Sequence, residues 1–74
     1  MHSAAITDVE TLGLVLREAR LERGLTQAQL AERIGVRQSY IAQLEAGKAT
    51  KAFERLFEVA RETGLTVTAR STHD

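Results

Sequence analysis

The stretch Thr26–Gly47, TQAQLAERIGVRQSYIAQLEAG, constrains this chain more than any other part of it. Thr26 and Gln29 form a T-x-x-Q capping box, in which the hydroxyl accepts from the third amide and the Gln side chain reaches back to the Thr amide. The box predicts a helix over Gln27–Ile34 with Leu30, Ala31 and Ile34 facing inward. Gly35 breaks that helix and Val36 follows. A second helix is predicted over Gln38–Glu45, with Ile41 and Leu44 inward and Gly47 as its stop. Arg37 occupies the N-cap of the second helix, and its side chain caps poorly. Its place there is better explained by contact than by helix initiation.

Two short helices crossing at a tight turn need a small residue at the crossing (Ala31), a residue that tolerates positive φ in the turn (Gly35) and apolar inner positions. These offsets are those of a helix-turn-helix. With the inner positions taken, Arg37, Gln38, Ser39 and Tyr40 remain outside on the first turn of the second helix, and Gln43 one turn on. Arg pairs with guanine O6 and N7, Gln with adenine N6 and N7, Ser with either, and an aromatic ring packs on a thymine methyl or a sugar. These five are the expected base-reading residues. Thr26 and Gln27, at a helix N-terminus whose amides and dipole favour an anion, and Lys48 and Lys51 on the far side, are the expected phosphate contacts.

The remaining residues support or multiply this unit. Residues 1–6 show no periodicity and are expected to be a flexible arm. Thr7 and Glu10 predict a capping box opening a helix from Asp8 to Arg23, with Val9, Leu12, Leu16 and Ala19 as its core stripe and Gly24 as its end. Leu14 and Leu21 lie off that stripe and form a second apolar line, a possible partner surface. Thr50 is expected to cap a fourth helix over Lys51–Thr63, with Phe53, Leu56, Phe57 and Ala60 on one face and Gly64 at its end. Residues 7–64 form the domain. Leu65, Thr66, Val67, Thr68, Ala69 and Arg70 then alternate apolar and polar, which predicts a strand. With no second strand recognisable in the chain, its expected partner is the same segment of a second copy, paired antiparallel about a two-fold axis. Residues 71–74 are expected to be a disordered tail.

Seventy-four residues make one small domain, with marginal stability when it stands alone. There is no Cys, and His2 and His73 sit at the ends, so disulfides and metals are not expected to stabilise it; dimerisation is the remaining route. The absence of Cys, of a membrane span and of a signal peptide points to the cytoplasm. Net charge is zero, which weighs against nucleic acid, yet Arg33, Arg37, Lys48, Lys51 and Arg55 face only Glu45 and Glu54 over the same stretch. No nucleophile–base pair, metal cluster or phosphate-cradling loop is visible, so no enzyme activity and no cofactor are expected.

The string RLERGLTQAQLAERIGVRQSYIAQLEAGK resembles the phage repressor/Cro-type helix-turn-helix proteins, and the likeness covers about Leu12 to Leu65. It implies an all-α, lambda-repressor-like fold of four helices, here with a short C-terminal strand pairing across a homodimer. It also implies a structural ion pair between Arg20 and Glu45. Two features depart from the family pattern: Arg37 stands where Ser or Thr usually caps, and a strand replaces a fifth helix. GLTVTAR after LFEVARETG looks like the HipB-type antitoxins. The resemblance thus implies a sequence-specific repressor that binds a palindromic double-stranded operator as a homodimer, autoregulates its operon and pairs with a HipA-type kinase toxin. Leu14 and Leu21 would serve either the dimer or the toxin. The alternatives are a stand-alone regulator without a toxin, or an adaptor that has lost DNA binding.

Overall fold

The computed structural model describes residues 3–48 and 50–72; Met1, His2, Ala49, His73 and Asp74 lie outside them, and with these the expectations placed on the two His. The chain runs β1 (Ser3–Ile6), α1 (Val9–Glu22), α2 (Gln27–Ile34), α3 (Gln38–Glu45), α4 (Lys51–Thr63) and β2 (Val67–Arg70). This is the expected four-helix, helix-turn-helix architecture with one small sheet added.

The sheet corrects two expectations. Ser3–Ile6 is not a loose arm: it pairs antiparallel with β2 of the same chain, Ile6 opposite Val67 and Ala4 opposite Ala69. The C-terminal strand is therefore shorter than Leu65–Arg70, and it has a partner without a second copy. Ile6 is 4% exposed and anchors the pairing in the core. Ser71 is half-buried beside the sheet rather than part of a free tail.

Asp8, not Thr7, caps α1. Its Oδ1 accepts from the Thr11 amide at 2.7 Å, while the Thr7 hydroxyl donates to Asp8 Oδ2 at 3.4 Å. A carboxylate is the stronger acceptor and suits the positive end of the helix. That backbone hydrogen bond holds the Asp8 carboxyl below its usual range.

α1 then crosses the C-terminal end of α3 so closely that a Cβ on Gly13 would stand 2.6 Å from the carbonyl oxygens of both Leu44 and Glu45. α3 is backed by α1 on one side and by α2 on the other. Gly13, buried in mid-helix, takes the core position that the periodicity assigned to larger residues. Leu16 and Ala19 remain exposed instead, along a hollow of about 250 Å³ between α1 and the sheet, with Val15, Leu16 and Ala19 on one wall and Ala4 and Ala69 on the other.

At the crossing of α2 and α3, Ala31 and Ile41 are buried as expected, and Gly35 takes φ +74 in the turn. Ile34 is the last residue of α2 and points away from the crossing, half-exposed. In α4, Phe57 and Ala60 are buried and Leu56 is not. α4 is tied to the start of α1 through Arg61, whose Nη1 donates to the Thr7 carbonyl at 3.2 Å.

Candidate nucleic-acid interface

Behind the interface lies a charged hub. Arg20 grips Glu45 with two guanidinium nitrogens, Nε to Oε2 at 2.6 Å and Nη2 to Oε1 at 2.9 Å, and its Nη1 donates to the Leu25 carbonyl at 2.7 Å. The Gln27 side-chain amide donates to Glu45 Oε1 at 3.1 Å. Both charged side chains are nearly enclosed, at 8% and 5% exposure. The hydrogen bonds from Arg20 hold the Glu45 carboxyl below its ordinary range, and Glu45 in turn raises Arg20. One carboxylate at the end of α3 thereby fixes α1, the α1–α2 loop and the first residue of α2 relative to one another. α3 cannot rotate about its axis without breaking these bonds, so the direction in which its outer face points is set.

That outer face is open. Arg37, Gln38, Ser39, Tyr40 and Gln43 are all exposed, and among the described residues none has a side-chain hydrogen bond to the rest of the chain. Arg37 stands at the N-cap of α3 without making a cap bond, which leaves its guanidinium outside the fold. Ile41 and Leu44 turn the other way, 4% exposed and half-buried. The arrangement brings two amides, a guanidinium, a hydroxyl and a phenol to the leading end of one exposed helix.

The flanks differ in detail from the sequence reading. Thr26 makes its capping box with Gln29, so its hydroxyl and amide are both engaged within the helix end. Gln27 turns its side chain inward to Glu45. What the start of α2 offers an anion is then the outward backbone amides of its first turn, not side chains. Lys48 and Lys51 are exposed on either side of the α3–α4 loop.

Among the described residues no group of His, Cys, Asp or Glu is placed to hold a metal, and no helix is long and apolar enough to cross a membrane. Gly13 is a residue of the supporting frame that hydrophobic periodicity does not single out. Its signal was a glycine in mid-helix, where it costs about 1 kcal/mol relative to Ala and therefore asks for a packing reason.

Residues 16–69 match the Helix-turn-helix family model, a span that contains the hub and the whole open face. The chain belongs to the Cro/C1-type helix-turn-helix family of DNA-binding transcriptional regulators. It is 37% identical over 59 residues to the immunity repressor protein of Bacillus phage phi105, an alignment that covers 80% of this chain and 41% of the repressor. It is 42% identical over 50 residues to an uncharacterized HTH-type transcriptional regulator of Methanothermobacter thermautotrophicus, covering 68% of this chain and 72% of that protein. A similar regulator of Archaeoglobus fulgidus is 39% identical over 46 residues, covering 62% of this chain and 66% of its own length. The chain thus spans less than half of the phage repressor. No solved structure matches. In this helix-turn-helix domain, α2 and α3 are the two helices of the motif and α3 is the one whose outer face is free.

Proposed function

We propose that the chain is a dimeric, sequence-specific transcriptional repressor whose α3 enters the major groove of a palindromic operator. The observation that carries this is the exposed set Arg37, Gln38, Ser39, Tyr40 and Gln43, which has no role inside the fold while every inner position of the same helix is packed. Gln38 and Arg37 would read base edges. Lys48, Lys51 and the first-turn amides of α2 would hold phosphates and set the register. Two copies would meet half-sites about 34 Å apart, roughly 10 bp, and occupancy of the chain's own promoter would give autoregulation.

Operator affinity should fall by orders of magnitude between about 50 and 200 mM salt if several phosphates are neutralised. Gln38→Ala should cost about 1–3 kcal/mol and relax preference at one base position. Binding that is weak and nearly independent of salt would instead favour the adaptor reading and overturn the repressor.

A second reading adds a protein partner to the same activity. Leu14 and Leu21 are 61% and 48% exposed on α1. Such a line suits the HipA-type kinase toxin expected for a HipB-type antitoxin. Co-expression with the neighbouring reading frame, followed by purification, tests it: a stoichiometric kinase-like partner, lost with Leu14→Glu, supports the antitoxin, and its absence leaves a stand-alone regulator.

A further inference from the structure

The fold leaves one side of α4 unfinished. Around that helix the buried Phe57 and Ala60 occupy one sector, and Glu54, Phe57, Glu58 and Arg61 border Asp8 and Val9 of α1. On the opposite side of the buried sector, Ala52, Leu56, Val59 and Thr63 recur at three- and four-residue steps and form one line. Leu56 is 50% and Val59 56% exposed. Leu65 lies at the end of the line, 67% exposed, where its amide bonds the Ala60 carbonyl in the Schellman turn that closes the helix. The line carries no charge, and its one hydroxyl is already bonded within the helix: Thr63 Oγ1 donates back to the Val59 carbonyl at 2.7 Å and lies 3.3 Å from that of Ala60.

We propose that this face of α4 is where a second copy of the chain docks, its α4 antiparallel to the first about a two-fold axis. The line is self-complementary in that arrangement. Leu56 meets Val59 of the partner subunit and Ala52 meets Thr63 of the partner subunit, with the axis between residues 57 and 58. Arg55, which already pairs with Glu58 of its own helix at 2.7 Å, shares one flank with Glu62, and the two-fold operation sets it beside Glu62 of the partner subunit as a second acidic neighbour.

Area argues for the same occupant. Leu56, Val59 and Leu65 leave on the order of 300 Å² of apolar surface in water, the size at which patches on a monomer mark an interaction site. Two such faces supply about half of the roughly 1,200 Å² at which specific interfaces begin, and the polar flanks along α4 would supply the rest. The protomer also needs such a supplement, for no large side chain is fully enclosed among the described residues. The Leu14/Leu21 line fits a second copy less well, because Arg17 and Glu18 interrupt it. The inference deepens the dimeric repressor reading and rests on it for the dimer alone.

The sequence has no Cys, so introduced thiols report without background. In the full chain, Leu56→Cys combined with Val59→Cys should give a covalent dimer on mild oxidation, whereas Leu14→Cys combined with Leu21→Cys should not. Leu56→Glu combined with Val59→Glu should weaken self-association at least about 100-fold by analytical ultracentrifugation while far-UV circular dichroism stays helical. Cross-linking through α1 and not α4, or a wild-type chain that sediments as a monomer, overturns the α4 interface. Salt-dependent DNA binding by such a monomer would keep the DNA-binding regulator and remove its dimer, and an α4-linked dimer blind to DNA would remove the repressor reading while keeping the interface.

Discussion

Breaking the Arg20–Glu45 pair from one side should unfold the domain far more readily than deleting the pair altogether. Glu45 accepts three hydrogen bonds, two from Arg20 and one from Gln27, and only 5% of its side chain reaches solvent. Glu45→Leu removes that acceptor and leaves the guanidinium in its enclosed site with only the Leu25 carbonyl. A buried ion stripped of its partner costs about 3–5 kcal/mol, whereas replacing both partners by apolar residues of similar volume is often neutral or better. Against a total stability of about 5–15 kcal/mol, the single substitution approaches global unfolding. The assay is urea denaturation followed by circular dichroism at pH 7 and fixed protein concentration, on wild type, Arg20→Met, Glu45→Leu and the double variant. The cycle should show a coupling of about 3 kcal/mol, with the double variant more stable than either single one. The pH dependence follows from the same geometry. Because Arg20 holds the folded-state Glu45 below the ordinary glutamate value of 4.5, the pair's contribution is complete above that value and is lost as pH falls through the lower folded-state one. The double variant should lack that share of acid destabilisation. Additive single effects, or an Arg20→Met cost below about 1 kcal/mol, would refute the view that the hub is what orients α3.

Three further outcomes are expected. Gly13→Ala, which in an ordinary helix gains about 1 kcal/mol from propensity, should instead destabilise by more than about 2 kcal/mol, because the new methyl meets two backbone carbonyls at 2.6 Å; an unchanged midpoint in thermal unfolding would contradict the close α1–α3 crossing. Lys51→Ala should weaken all DNA sequences alike and lower the slope of log K against log salt by about one, measured by fluorescence anisotropy; a base-dependent loss would mean that Lys51 reads rather than positions. Asp8→Ala should lower the thermal midpoint at neutral pH, since the folded-state carboxyl is held below its ordinary 3.8 by the Thr11 amide, and the difference from wild type should shrink as pH falls through that range.

How far each feature was legible depends on whether its cause is local. α2 begins and ends where Thr26, Gln29 and Gly35 put it, and α3 stops just before Gly47, because each of these residues acts within one turn of chain. The exposed edge Arg37–Tyr40 was legible by elimination: once Ile41 and Leu44 are inside, the other side of a 3.6-residue period must be outside. β1 was not legible, since Ser-Ala-Ala-Ile has no pattern of its own and becomes a strand only through its register with Val67–Arg70. Gly13 was missed for a related reason, because what excludes a side chain there is a pair of carbonyls thirty-odd residues away. Gln27 stands at a helix end, where a phosphate contact is expected, yet its side chain is turned inward by Glu45, a partner on another helix.

Leu56 is the most informative of these differences. Its period is right, and it lies on the apolar arc of α4 beside Phe57 and Ala60, but it is half in water. Periodicity identifies side chains that need cover and says nothing about what supplies it. In Ile6 the cover comes from within, because β1 and β2 close over it. Nothing among the described residues closes over Leu56 and Val59, and no charge breaks their line. A second identical face, as proposed above, would supply that cover, and a two-fold pair of α3 helices is also what a palindromic operator would require. On that proposal the uncovered side of α4 and the exposed edge of α3 would be two parts of one requirement: a single α3 spans too few base pairs to specify a site, and the face that completes the core would also bring the second α3 into place.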